Sequence, residues 1–335
     1  MHETSIVKMP LVSRLLRAPF LSAWLNGSLR VGLVRRRLLA LLAATLTMHP
    51  SARAGEIYEA TSAYHHIRVV EDGGYRLLCF DDATESRISL QDPWRGHFEY
   101  TEYFHVPWLW NTNLSRVLMI GLGGGSAQRA FEHYYPNVTI HTVELDPLVL
   151  RIAQHYFGFE ESERQRVFVE DGRVFLRRNA ARYDLIVLDA YVQGRYGSSI
   201  PQHLATKEFF ELVRDHLTTN GIFSDNVIGT LDDWHAGIVG AVYRTLKAVF
   251  PRVYLFPAKS SMNVVIQATR ATVLPDLNGL RQRAALLAQT GRLTLPGFRE
   301  RLERIRFTPP ASAAGSPVLT DDYAPVEGLS AAGGQ

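Results

Sequence analysis

From residue 116 onward, short apolar runs alternate with longer stretches whose apolar residues recur at helical spacing. The run Val117-Leu118-Met119-Ile120 is continuous, as expected of a strand covered on both faces. A helix is predicted after the following glycines to about residue 135, then a strand at 138–143. The segment 147–157 reads as a helix with proline tolerated in its first turn. A third strand is expected at 167–169, a short helix at 174–179 and a fourth strand at 185–188. A helix at 206–217, a strand from Gly221, a long helix at 231–250 and strands at 252–256 and 263–268 complete the series. Strands alternating with helices predict an α/β fold with a parallel, doubly wound, Rossmann-like sheet.

The flanks read differently. Residues 67–70 and 75–78 frame a turn at Asp72-Gly73-Gly74, which predicts a hairpin, and 87–90 adds a third strand. Residues 100–110 have helical spacing with aromatic and apolar residues on one face. One or two helices are expected over 274–306, a Pro/Ala/Ser/Gly linker over 309–317 and a polar loop at Thr320-Asp321-Asp322-Tyr323-Ala324-Pro325. Four regions follow: an extension at 1–54, a small β-domain with a linking helix at 55–112, the α/β domain at 113–308, and a C-terminal linker and loop at 309–335.

Composition adds two exclusions. With 46% hydrophobic and 21% charged residues in 335, the chain has globular character. Its net charge of +3 is unevenly placed. Residues 1–54 hold eight basic side chains (Lys8, Arg14, Arg17, Arg30, Arg35, Arg36, Arg37 and Arg53) against Glu3 alone. The rest has 28 basic and 32 acidic residues, which argues against a nucleic-acid-binding body. Arg35-Arg36-Arg37, the apolar run 38–46, Pro50 and Ala52-Arg53-Ala54 form a secretory-signal pattern. The paired arginines also resemble a twin-arginine signal, and the apolar run is too short for a stable span. A disordered or amphipathic extension is the alternative reading. Any membrane association is therefore expected only through this segment, and localisation stays open between cytoplasm and export. Cys79 is the only cysteine, which excludes an intramolecular disulfide and a thiolate metal cluster.

The candidate chemistry sits at strand ends. Ile120-Gly121-Leu122-Gly123-Gly124-Gly125-Ser126 follows a buried strand and opens a helix. Gly121, Gly123 and Gly125 permit a tight turn and close approach of backbone to an adenosyl ligand. Glu144 ends the second strand 19 residues later, where a carboxylate can accept both hydrogen bonds of a ribose diol. Asp171-Gly172 ends the third strand. Its carboxylate suits an adenine amine, and it equally suits a helix N-cap. Asp189 ends the fourth strand, in the crevice position of an open α/β sheet, where it can orient or deprotonate an attacking group. Adjacent His65 and His66 point to opposite faces of a strand and make a poor metal pair, and no metal site is expected from them or from His97 and His105. Trp94, Trp108 and Trp110 are read as packing residues.

This order of features resembles the spermidine synthase (polyamine aminopropyltransferase) family, which shares the class I methyltransferase fold. The resemblance is carried by Ser62-Ala63-Tyr64-His65-His66-Ile67, Tyr100-Thr101-Glu102, the glycine turn, Val143-Glu144-Leu145-Asp146, Asp171-Gly172, Asp189 and the 320–325 loop. It implies Glu144 on the ribose, Asp171 and Gly172 at the adenine, and His65 on the donor side. It implies Asp189 as the base and Tyr64, Tyr100 and Tyr191 lining the amine pocket. It further implies a homodimer, no prosthetic group, and decarboxylated S-adenosylmethionine or S-adenosylmethionine as co-substrate for a small-molecule amine.

Three positions depart from the family pattern. Gly124 stands where the family keeps an aspartate, Val192 where it keeps the second acid of Asp-x-x-Asp, and His65 where it keeps a glutamine. Losing two acids makes the pocket less anionic, and an unpaired ammonium there is costly. Methyl transfer on the same fold is thus an alternative to aminopropyl transfer, and a catalytically silent exported binding protein is another. A NAD-dependent dehydrogenase fits less well, because its third turn glycine falls at Ser126. Arg195 and His203 lie in the loop after Asp189, either solvated or facing acidic substrate groups.

Overall fold

A computed structural model of the chain describes residues 55–331 except 95–96, 195–196, 234, 273–274 and 292–296. The signal-like segment 1–54 and Arg195 lie outside the described residues. Among these residues no helix is long and apolar enough to cross a membrane.

The first sheet is antiparallel, in the order β1 (Gly55–Thr61), β2 (His66–Asp72), β3 (Tyr75–Phe80) and β4 (Ala83–Ser89). The β2–β3 hairpin turns at Gly73 and Gly74, both at positive φ. Strand β1 has no buried residue, so its sequence lacks the apolar alternation that marks its neighbours. Pairing with β2 holds it, and Tyr58 packs against Tyr156 at 5.2 Å between ring centroids.

A 3₁₀ helix, Glu99–Leu109, links the two sheets in sequence. The expected one-sided helix is instead buried all round, with Tyr103, Phe104, Val106 and Leu109 at 0% exposure. It lies between the large sheet and the C-terminal helices, so both of its sides meet apolar partners.

The second sheet has seven strands, ordered β12 (Arg252–Pro257), β13 (Asn263–Thr269), β11 (Leu217–Ile228), β8 (Tyr183–Leu188), β5 (Arg116–Ile120), β6 (Thr139–Glu144) and β7 (Gln165–Val169). Successive residues face opposite layers. Leu118, Ile120, Ile186 and Leu188 enter one core; Val117, Met119, Leu185 and Val187 enter the other. The alternating helices are α1 (Ser126–Tyr134), α2 (Pro147–Tyr156), α3 (Gly172–Arg178), α4 (Lys207–His216) and α5 (Ala236–Val249). Asp146 caps α2 by accepting from Leu148 N, with Pro147 in the first turn.

The sheet is mixed, whereas the sequence pattern predicts a wholly parallel one. Strand β13 runs antiparallel to both β11 and β12. Residues 258–262 are the whole connection from β12 to β13, far too short for a parallel crossover. A further hairpin, β9 (Val192–Gly194) with β10 (Gly197–Ser199), follows β8 and carries too little apolar pattern to be foreseen.

Helices α6 (Leu277–Gln289) and α7 (Phe298–Leu302) cover the 3₁₀ segment, and α8 (Val326–Ala331) ends the described chain. The 320–325 loop is tied down. Asp321 accepts from Arg173 Nη1 and Nη2 at 2.7 and 2.6 Å and from Thr206 Oγ1 at 2.7 Å. It thereby clamps the starts of α3 and α4.

Candidate functional site

The C-terminal ends of β5, β6 and β8 open onto a cavity whose far wall is β4 and the residues around Tyr64. Its volume is about 1300 Å³ with the open mouth included. The glycine turn forms the floor. Gly121, Gly123 and Gly125 have φ of 101°, 52° and 73°. A Cβ at Gly121 would lie 2.1 Å from the Asp189 carbonyl oxygen, so glycine is required there for β5 and β8 to end side by side.

Glu144 reaches back to this turn. Its Oε2 accepts from Leu122 N at 3.0 Å and its Oε1 from Asp146 N at 2.9 Å. Burial nevertheless raises its carboxyl to about 7. Asp171 caps α3 by accepting from Val174 N at 2.9 Å, and its other oxygen lies 2.7 Å from His203 Nε2. His203, first of all, and these N–H groups hold the Asp171 carboxyl below its ordinary value. His203 is therefore not a free loop residue. It stands on the carboxylate expected to meet adenine. Gly172 has a packing reason as well, since a Cβ there would meet Ile120 Cγ2 at 2.5 Å.

Asp189 sits between contributions from β5, β11 and the 3₁₀ helix. Its N–H donates to Ile120 O at 2.9 Å. Its Oδ1 accepts from Asn226 Nδ2 at 2.9 Å and its Oδ2 from Tyr100 OH at 3.3 Å. Burial pushes the carboxyl up to about 6, and the two donors act against that rise. A carboxylate so placed can take a proton near neutral pH and stay oriented while doing so. Tyr191 donates to Asn226 O, and that fixes its ring beside Asp189. Behind them on β11, Asp225 is fully buried with neither carboxyl oxygen hydrogen-bonded among the described residues, and burial raises its carboxyl far above the ordinary value.

His65 and Tyr64 also line the cavity. The His65 ring stacks on Phe80 at 4.3 Å, its Nδ1 is buried without a partner, and burial lowers its pKa. His66 turns the other way, onto Glu59 at 2.8 Å. His105 Nδ1 meets Tyr135 OH at 2.7 Å. Trp108 and Trp110 pack against Tyr135 and Tyr254, whereas Trp94 stacks on His133 at the surface.

The two acid losses have different structural settings. A Cβ at Gly124 would meet Phe157 at 3.0 Å and Ser86 at 3.1 Å, so that space is already filled. The Gly124 N–H donates to Ser86 Oγ at 2.9 Å, docking β4 onto the glycine turn. Val192 is an exposed residue of the β9–β10 hairpin. The sequence pattern misses Glu85, the residue before Ser86. It lines the cavity, accepts from Ser198 Oγ at 3.0 Å, and is raised to about 7, first by burial and also by the charge of Asp189. Nothing short of the packing of β4 against the strand ends singles it out in Ala83-Thr84-Glu85-Ser86. Asn226 is missed because only the pairing of β11 with β8 brings it to Asp189.

Residues 97–259 match the family model of the spermine/spermidine synthase domain. The chain is similar to the polyamine aminopropyltransferase of Vibrio vulnificus, 34% identical over 261 residues that cover 75% of this chain and 84% of the relative. Among solved structures, human methyltransferase-like protein 13 in complex with SAH matches with a TM-score of 0.51 at 27% identity, covering 58% of this chain and 91% of that one. Spermidine synthase from Thermotoga maritima matches in fold with a TM-score of 0.53 at 23% identity, covering 74% and 87%.

Proposed function

The chain belongs to the spermine/spermidine synthase family, and on that premise we propose that it transfers an aminopropyl group from decarboxylated S-adenosylmethionine to an amine, with Asp189 as the base. The observation that carries the proposal is the Asp189 carboxylate, held by Tyr100 and Asn226 at the floor of the cavity with its pKa raised to about 6. In this reading Glu144 and Asp171 take the ribose diol and the adenine amine, over the turn of Gly121, Gly123 and Gly125. Gly172 gives the adenine its room, and His65 faces the donor. Adenine displaces His203 from Asp171 or shares that carboxylate with it.

The sulfonium carbon is already activated, so the protein's work is alignment and proton removal. The acceptor nitrogen attacks the propyl carbon attached to sulfur. The C–S bond breaks and its electron pair stays on sulfur, leaving methylthioadenosine as a neutral thioether. The new C–N bond leaves nitrogen with one proton too many, and Asp189 Oδ2 takes it. Tyr64, Tyr100 and Tyr191 form the walls that keep water from the reacting carbon.

Incubation with decarboxylated S-adenosylmethionine and putrescine tests this, with methylthioadenosine as the product to be measured. Its absence overturns aminopropyl transfer. The glycine at 124 and the valine at 192 favour a second reading, methyl transfer from S-adenosylmethionine. Release of adenosyl-homocysteine without methylthioadenosine selects that reading.

A further inference from the structure

The cavity holds two carboxylates at its acceptor end, Glu85 and Asp189, and among the described residues neither forms an ion pair with a basic side chain. They come from different sheets. Asp189 follows β8, whereas Glu85 lies on β4. Docking of Ser86 onto Gly124 N brings β4 to the strand ends, and the charge of Asp189 reaches Glu85. Burial, and after it the charges of Asp189 and Glu85, suppresses the ionisation of Tyr100 and Tyr191.

The partner of Glu85 locates it further. Ser198 on β10 donates to Glu85, and in the β9–β10 register Ser198 pairs with Gln193 and Ser199 with Val192. Glu85 thus reaches the same hairpin on which residue 192 carries a valine instead of an acid. The other charged groups lining the cavity are engaged elsewhere. Glu144 holds Leu122 N and Asp146 N, Asp171 holds Val174 N and His203, and the Arg87 guanidinium lies over the rings of Tyr75 and Phe98. His97 faces Glu102. Aromatic rings of Tyr64, Phe98, Tyr100 and Tyr191 complete the wall, a lining suited to a cation.

We propose that Glu85 is the residue that selects the acceptor, binding the distal ammonium of a diamine while Asp189 receives the proton from its attacking nitrogen. The inference rests on the aminopropyl-transfer reading for its second half only. The charge lost at positions 124 and 192 is restored from the N-terminal sheet. Two buried acids without a counter-ion among the described residues repel each other, and a bound cation relieves both. A monoamine of the same length leaves Glu85 unpaired and binds weakly.

Glu85→Gln, in the full chain, separates the possibilities. Calorimetry of 1,4-diaminobutane against protein saturated with methylthioadenosine reads binding without turnover. The expected result is a loss of about tenfold or more in diamine affinity in the variant, unchanged methylthioadenosine affinity, and discrimination between diamine and butylamine reduced by the same factor. Glu85→Asp keeps the charge and is expected to retain more of the affinity than Gln does. Unchanged methylthioadenosine affinity also reports that each variant is folded. Equal diamine affinity in wild type and Glu85→Gln overturns the proposal, whatever the turnover assay gives. Diamine binding that depends on Glu85 but yields no methylthioadenosine from the decarboxylated donor retains the selection role and overturns the transfer reaction instead.

Discussion

Asp189→Asn is expected to abolish most activity while making the protein more stable above neutral pH. Burial raises the Asp189 carboxyl from its ordinary 3.8 to about 6. The shift is about two units, and at about 1.4 kcal/mol per unit the ionised form costs the fold about 3 kcal/mol. The opening of the cavity to solvent makes that figure a ceiling. The sign follows from linkage. A carboxyl raised in the folded state binds its proton more tightly there, so stability falls as pH rises from the unfolded to the folded pKa. The cost is complete above the folded value and absent below the unfolded one. Asparagine is uncharged and of the same shape. Its Oδ1 still accepts from Asn226, and its amide can donate to Tyr100 once that hydroxyl turns. Near pH 8 the variant gains up to about 3 kcal/mol, shrinking to about 1 kcal/mol near pH 4.5. Urea unfolding at the two pH values measures the difference. Methylthioadenosine release is expected to fall by about 10²–10⁴, the contribution of a general base. A variant that is less stable than wild type near pH 8, or whose advantage does not shrink with pH, refutes the electrostatic account. Unchanged turnover refutes Asp189 as the base.

Tyr100→Phe removes one of the two donors that oppose the rise at Asp189, so the acid limb of the pH–rate profile is expected to move above about 6, read from turnover against pH; no movement refutes the contact. Gly121→Ala is expected to destabilise by about 3 kcal/mol or more, because φ is 101° and the new Cβ meets Asp189 O; denaturant unfolding measures it, and a near-neutral effect contradicts the close approach of β5 and β8. Asp321→Ala leaves Arg173, only 8% exposed, without its bidentate partner. A loss of about 1–2 kcal/mol is expected, discounted because Asp321 is itself open to water. The Asp321 carboxyl is held below its ordinary value, chiefly by Arg173, so the effect is present above about pH 4 and is lost as pH falls through the folded value; a thermal-unfolding series against pH checks it.

Alternation of strand and helix was legible because each segment carries its own period. Strands β5 and β8 are covered on both faces and read as unbroken apolar runs, and α2 announces its start with Asp146-Pro147. Strand β1, the β9–β10 hairpin and the reversal at β13 were not legible. The first two bury too little to leave a pattern, and strand direction depends on the length of the 258–262 connection more than on the pattern of β13 itself. Spacing marks the 3₁₀ segment as one-sided, because it does not reveal how many layers will cover an element.

The same division runs through the site. The sequence by itself determined the glycine turn, the Glu144, Asp171 and Asp189 positions at strand ends, and the family to which the chain belongs, since those features are local to one βα unit each. Only the tertiary structure decided what surrounds them. It set His203 against Asp171, Asn226 and Tyr100 on Asp189, and Ser86 in the space beside Gly124. It also carried Glu85, 104 positions before Asp189 in the sequence, into the same cavity. Local backbone chemistry fixes a turn or a cap within a few residues. The charge that one carboxylate imposes on another depends on distance in space and on burial, and the folded chain alone supplies both.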